Sequence, residues 1–136
     1  MRVFIADDSN ALRDQIKEIL ADIEGIDVVG QARDAPEALE SIRKLRPDVA
    51  ILDIRMPSGS GISVLEPIRK EKIPTKVIIF TNYPYLQLRK EYLDAGADFF
   101  FHKAIDFEKL IDVLKRLIPH YQKAKNPRDG ANVRFV

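Results

Sequence analysis

The chain has 136 residues, 46% hydrophobic and 32% charged, a mixture that fits one soluble globular domain and is unlike disordered or membrane-embedded chains. A net charge of +1 provides no strong field for nucleic acid, and the absence of cysteine excludes disulfides and thiolate metal sites while suiting a reducing cytosol. The N-terminal run Met1-Arg2-Val3-Phe4-Ile5 meets Asp7 and Asp8 before a signal-peptide core could form, so no membrane targeting is expected and a cytoplasmic location is.

Val3 to Ala6 reads as a first strand, followed by the helical stripe Leu12, Ile16, Ile19, Leu20 and Ile23. Ile26 to Val29 predicts a second strand, and Ala35, Ala38, Leu39, Ile42 and Leu45 form the next helical face. Val49 to Leu52 is a third strand, after which Gly59 and Gly61 fit a turn into a helix marked by Ile62, Leu65 and Ile68, not a phosphate-cradling loop. Val77 to Thr81 predicts a fourth strand, and Leu86 to Leu93 a fourth helix with a poorly defined apolar face. Phe99 to Phe101 is a fifth strand, and Phe107, Leu110, Ile111, Leu114, Leu117 and Ile118 make the clearest helical stripe. Residues 119–136 turn polar, with Lys123, Lys125, Arg128 and Arg134 against Asp129. They are expected to form a flexible C-terminal tail behind a domain of residues 1–118, with no length left for an output domain.

Continuous apolar strands, each followed by a helix, are the pattern of a parallel sheet covered on both faces: an α/β, doubly wound, five-stranded fold. Ligands of such sheets bind outside the carboxyl ends of the strands. At that end stand Asp7 and Asp8 after the first strand, Asp53 after the third, Thr81 closing the fourth and Lys103 after the fifth. Each alone has a plain structural account. Asp7, Asp8 and Ser9 can cap a helix, Asp53 can begin a turn, Thr81 is an ordinary strand residue, and a lysine after a strand is usually solvated. Their conjunction at one end of one sheet is what no structural account requires. Carboxylates about 5 Å apart repel by roughly 3 kcal/mol per pair at an effective dielectric of about 20, so compensating cations are expected. Lys103 supplies one charge, and magnesium, a hard ion that also engages phosphate oxygens, is the expected metal.

The segments Ile5-Ala6-Asp7-Asp8 and Leu52-Asp53-Ile54-Arg55-Met56-Pro57, the strand-final Thr81, Ala95-Gly96-Ala97 and Lys103 together resemble a response-regulator receiver domain over about residues 1 to 118. The resemblance implies a (βα)5 flavodoxin-like fold of the CheY-like superfamily, strand order 2-1-3-4-5, acting as a phosphorylation-dependent signalling switch in two-component signal transduction. It implies that Asp53 is the phosphoacceptor, loaded by a sensor histidine kinase, a histidine phosphotransfer protein or a small phosphodonor. Asp8 and Asp53 with the backbone carbonyl of Arg55 would ligate magnesium, Asp7 would hold the metal's waters, Thr81 and Lys103 would bind the phosphoryl group, and Phe100 would occupy the aromatic switch position. Phosphotransfer and autodephosphorylation would be self-directed, without turnover of a substrate. The output surface, about Pro84 to Ile118, would meet a downstream effector protein, with no direct nucleic-acid or membrane binding; a homodimer is compatible with it.

Several positions depart from that pattern. Ala104 follows Lys103 where the family usually has a cis proline, so a trans Lys103-Ala104 peptide and a loop with a different course are expected. Asn82 stands where the family usually has a small residue and is expected to narrow access to Asp53, while Arg55 and Tyr83 stand at positions that the resemblance places beside the attacking water and are expected to slow hydrolysis, Arg55 alternatively pairing with an acid. Phe100 lacks a hydroxyl, which leaves either a switch resting on packing alone or permanent burial. His102 and His120 lack supporting partners and are expected to be structural or solvent-facing. Two rival functions are a phosphorylation-independent protein-interaction adaptor and a magnesium-dependent phosphohydrolase; the second lacks the Asp-x-Asp motif at Asp53-Ile54-Arg55 and a substrate cap. Flavin or nucleotide binding is disfavoured because Asp7 and Asp8 would repel a phosphate after the first strand.

Overall fold

A computed structural model describes residues 1–83 and 86–125, with side chains as far as residue 121. Pro84 and Tyr85, at the start of the expected output surface, and residues 126–136 of the expected tail lie outside the described residues. The main sheet has five parallel strands: β1 (Arg2–Ala6), β2 (Asp27–Ala32), β3 (Val49–Leu52), β4 (Lys76–Thr81) and β5 (Phe99–His102). Its spatial order is β2-β1-β3-β4-β5, as the sequence resemblance implies. Between the strands lie α1 (Asn10–Ala21), α2 (Ala35–Leu45), α3 (Gly61–Lys70) and α4 (Leu86–Asp94), and α5 (Phe107–Lys125) closes the order.

Alternation along the strands divides the core into two layers. Phe4, Ala50, Leu52, Val77, Ile79 and Phe100 face α2, α3 and α4 through Ala38, Ile42, Val64, Leu65, Ile68 and Tyr92. Val3, Ile5, Val49, Ile51, Ile78 and Phe80 face α1 and α5 through Ile16, Leu20, Leu110, Leu114 and Ile118. Burial on both faces explains the unbroken apolar runs: all four residues of β3 are buried.

Local chemistry starts the helices. Ser9 accepts from the Leu12 N–H before α1, and Asp34 Oδ1 accepts from the Glu37 N–H at 2.8 Å before α2. Ser60 and Ser63 form a reciprocal capping box at the start of α3. α4 buries only Tyr92, and its Leu86 is 82% exposed, which accounts for the poor apolar pattern read there. α5 runs through Pro119 to Lys125 and so continues past the expected boundary at residue 118. Tyr121 packs against the α1/α5 layer, so the first part of the expected polar tail is helix. A small antiparallel ribbon, Arg55–Met56 with Gly59–Ser60, follows β3 and was not legible in the sequence. Among the described residues no helix is long and apolar enough to cross a membrane.

Candidate functional site

The order β2-β1-β3 puts the carboxyl ends of β1 and β3 side by side where the strand order reverses, the place at which open α/β sheets bind ligands. Two backbone bonds set the register there. The Asp7 N–H donates to the Ala32 carbonyl at 3.0 Å, and the Asp53 N–H donates to the Ala6 carbonyl at 3.1 Å. Asp7 and Asp53 are buried and Asp8 is exposed, with one carboxylate oxygen from each lying within 4.8 Å of the others. Lys103 follows β5, its N–H donating to the Thr81 carbonyl at 2.8 Å. Its Nζ sits between two acids, 2.6 Å from Asp7 Oδ2 and 2.8 Å from Asp53 Oδ2. The other oxygens of those acids are also engaged: the Ser9 N–H donates to Asp7 Oδ1 at 2.9 Å and the Ile54 N–H to Asp53 Oδ1 at 2.7 Å.

Burial raises the pKa of Asp7 above its usual value, opposed by the hydrogen bonds from Lys103 and Ser9. Burial disfavours the Lys103 ammonium, but hydrogen bonds and charges from Asp53 and Asp7 outweigh it and raise the lysine's pKa. Lys103 therefore stays a cation at neutral pH. Three carboxylates against one ammonium leave a formal charge of −2 (three negative, one positive) on a set of hard oxygen donors, which fits a divalent ion of the magnesium type.

The family model for the response regulator receiver domain matches residues 3–115. The chain belongs to the response regulator receiver family. An uncharacterized response regulatory protein of Vibrio cholerae is 35% identical over 124 residues, covering 91% of this chain and 51% of the relative. The chain spans between 27% and 59% of the length of the curated relatives it matches. Among solved structures, the response regulator domain of Thermotoga maritima CheB is 34% identical with a TM-score of 0.77, covering 88% of this chain and 94% of the other. A CheX–CheY–BeF3–Mg+2 complex from Borrelia burgdorferi matches at 31% identity and TM-score 0.77, covering 89% of each chain.

In this receiver the structure brings Asp7, Asp8, Asp53 and Lys103 together as the strand-end reading expects. Thr81 is fully buried at the end of β4, and its Oγ1 accepts from the Tyr83 N–H at 3.2 Å. Arg55 lies in the ribbon after Asp53 and pairs with no acid among the described residues: its guanidinium carbon is 4.6 Å from the centre of the Tyr83 ring, and Nη1 donates to the Tyr83 hydroxyl at 3.1 Å. Of the two alternatives read for Arg55, the acid pairing is not seen among the described residues, and the guanidinium lies over an aromatic ring instead. Asn82 is exposed beside this pair. Phe100 is buried, its ring tilted against Tyr92 at 6.2 Å between centroids. An open cleft of about 400 Å³ borders Asp8, walled by Arg55, Met56, Pro57 and Ser60.

The Lys103–Ala104 peptide is trans, and Lys103 nevertheless reaches both acids. His102, expected to lack partners, has two: its Nδ1 accepts from the Ala104 N–H at 2.9 Å, and its own N–H donates to Asp106 Oδ2 at 2.9 Å. His120 is exposed on α5. Two further residues escaped the sequence reading. Buried Arg13 of α1 donates to the Asp7 carbonyl, to Asn10 and to Gln31, tying the Asp7-Asp8 turn to α1 and β2. The Tyr92 hydroxyl accepts from the Ile62 N–H at 3.2 Å, joining α4 to the first turn of α3. An arginine within an amphipathic helix and a tyrosine in a weakly patterned one carry no distinguishing signal in one sequence.

Proposed function

We propose that this receiver is a phosphorylation switch whose acceptor is Asp53, loaded by a sensor histidine kinase or a histidine phosphotransfer protein, with magnesium as cofactor. The observation that carries the reading is the placement of Lys103 Nζ between Asp7 and Asp53, with Asp8 in the same cluster. The carboxylates of Asp8 and Asp53 and the backbone carbonyl of Arg55 would hold the ion, and Asp7 its waters. The likeness to a receiver in complex with BeF3 and Mg+2 supports this. Bound magnesium would supply charge that offsets the transferring phosphoryl group.

This chain's own residues would do the rest. A carboxylate oxygen of Asp53 forms the new bond to phosphorus while the phosphorus–nitrogen bond of the donor histidine breaks and the imidazole leaves. Lys103 turns toward a phosphoryl oxygen, and Thr81 donates its hydroxyl to another. Attack of water on phosphorus breaks the phosphorus–oxygen bond to Asp53, releasing inorganic phosphate and the free carboxylate without any other substrate. Thr81 Oγ1 currently accepts from the Tyr83 N–H, so its movement toward the phosphoryl group would disturb the segment that leads into α4. Phe100 and the surface of α4, β5 and α5 would then favour a conformation that a downstream effector protein recognises, a population shift driven by differential contacts. Neither nucleic acid nor a membrane is bound directly in this scheme, a homodimer is compatible with it, and the switch operates in the cytoplasm. The stacked Arg55–Tyr83 pair and Asn82 would limit access of water to the phosphorylated Asp53.

The test is incubation with magnesium and acetyl phosphate or a phosphohistidine donor, read by intact mass. One labile phosphoryl adduct on the wild type and none on Asp53→Asn is the expected result. Absence of an adduct with every donor would point to an adaptor, and continued phosphate release from small esters to a hydrolase.

A further inference from the structure

Lys103 lies between two buried carboxylates, and the loop behind it is closed at three points. The Lys103 N–H is bonded to the Thr81 carbonyl at 2.8 Å. One residue earlier, the His102 N–H donates to Asp106 Oδ2 at 2.9 Å while the His102 carbonyl accepts from the Asp106 N–H at 2.9 Å. One residue later, the Ala104 N–H donates to His102 Nδ1 at 2.9 Å. Asp106 is itself anchored to α5, its carbonyl accepting from the Leu110 N–H at 3.0 Å. Lys103 is thus the apex of a small loop whose two neighbours are joined through the imidazole.

The residue types matter. A proline after the lysine would carry no N–H and would stiffen the loop through its ring. Ala104 brings a donor and a freer φ, and the donor is the atom that His102 captures. A lysine side chain has four rotatable bonds and loses entropy when held in one place, so the aim of Nζ at two acids depends on a fixed starting point in the backbone. Acceptance at Nδ1 places the imidazole proton of neutral His102 on Nε2.

We infer that His102 is a positioning residue for Lys103: its Nδ1, with the Asp106 carboxylate, does in this chain what a proline after the lysine would do by ring constraint. The inference deepens the proposed phosphoryl transfer to Asp53 and rests on it. His102→Phe and His102→Leu both remove the acceptor, the first keeping a ring, whereas His102→Asn presents Oδ1 at the place of Nδ1. Loss of one positioned hydrogen bond corresponds to about a five- to tenfold slower formation of the Asp53 adduct from acetyl phosphate. His102→Phe and His102→Leu are expected to show that slowing, and His102→Asn to stay within about twofold of wild type. In an Ala104→Pro background, where the donor is gone, His102→Phe should cause no further loss.

Wild-type rates in His102→Phe and His102→Leu would overturn the inference, as would equal losses in all three variants, which would mean that imidazole bulk matters and its acceptor does not. Failure of the wild type to form any adduct would remove the function reading instead. The positioning role is then decided by the crystal structure of His102→Phe: Lys103 Nζ displaced from Asp7 and Asp53 supports it, and Nζ unmoved between them refutes it.

Discussion

Replacing Lys103 with methionine keeps the side chain's apolar stem and removes the only charge that the described structure sets between Asp7 and Asp53. At 2.6 and 2.8 Å each attraction is worth about 6 kcal/mol at an effective dielectric of about 20, most of it offset by the cost of desolvating the ions. Removing one partner of a buried pair typically costs about 3–5 kcal/mol. Lys103 side-chain exposure is 12%, against 4% for Asp7 and 6% for Asp53, so little water is available to take over. We expect Lys103→Met to lose about 3 kcal/mol at neutral pH without divalent ions, the lower end because the remaining groups can relax. The sign of the pH dependence follows from Asp7. Burial already raises its pKa, and the hydrogen bond and charge of Lys103 act to lower it. Without Lys103 the carboxyl is raised further, so the folded state binds the proton more tightly than the unfolded chain does. The penalty is present above the folded pKa and is relieved as pH falls through it. Magnesium should recover part of the loss at neutral pH by binding the folded state. Urea denaturation of both proteins at neutral and mildly acidic pH, with and without magnesium, provides the measurement. A variant as stable as wild type at neutral pH in the absence of divalent ions would refute this account of the site.

A Cβ on Gly61 would lie 2.9 Å from Tyr92 Cε2 and 3.0 Å from the Asp53 carbonyl oxygen, and backbone cannot swing aside. Gly61→Ala should therefore cost about 1–3 kcal/mol in urea denaturation. Asp34→Ala removes the acceptor of the Glu37 N–H and should cost about 1 kcal/mol by the same assay, with phosphorylation at Asp53 unchanged. Tyr83→Ala removes the ring under Arg55, and the lifetime of the phosphorylated protein, followed by intact mass, should shorten several-fold; an unchanged lifetime would dismiss the pair as a barrier to water. Above the usual lysine pKa, wild-type stability should decline as Lys103 deprotonates, because its folded-state pKa is raised and its contribution is complete only below the unfolded value. Lys103→Met should lack that component of the alkaline decline, which alkaline urea titration would reveal.

Much of this architecture was legible in one sequence because burial on both faces of a parallel sheet leaves unbroken apolar runs, and the intervening helices carry stripes of period near four. A parallel sheet places residues that follow separate strands at one edge, so the sequence alone groups Asp7, Asp8, Asp53 and Lys103. Where the apolar signal weakens, legibility fails. In the extension of α5, Tyr121 packs on the α1/α5 layer amid polar neighbours in the sequence, and the ribbon after Asp53 is two residues per strand, too short for any periodicity.

What the sequence alone determined is which residues bear charge and roughly at which strand end each stands. What only the tertiary structure decided is direction. Arg55 turns to the Tyr83 ring, Arg13 reaches back to the Asp7 carbonyl, and the His102 imidazole accepts from the Ala104 N–H beside Lys103, whose Nζ lies between Asp7 and Asp53. Side-chain direction depends on donors and acceptors contributed by segments distant in sequence. Their meeting is a property of the packed chain, which residue order specifies but no local pattern displays.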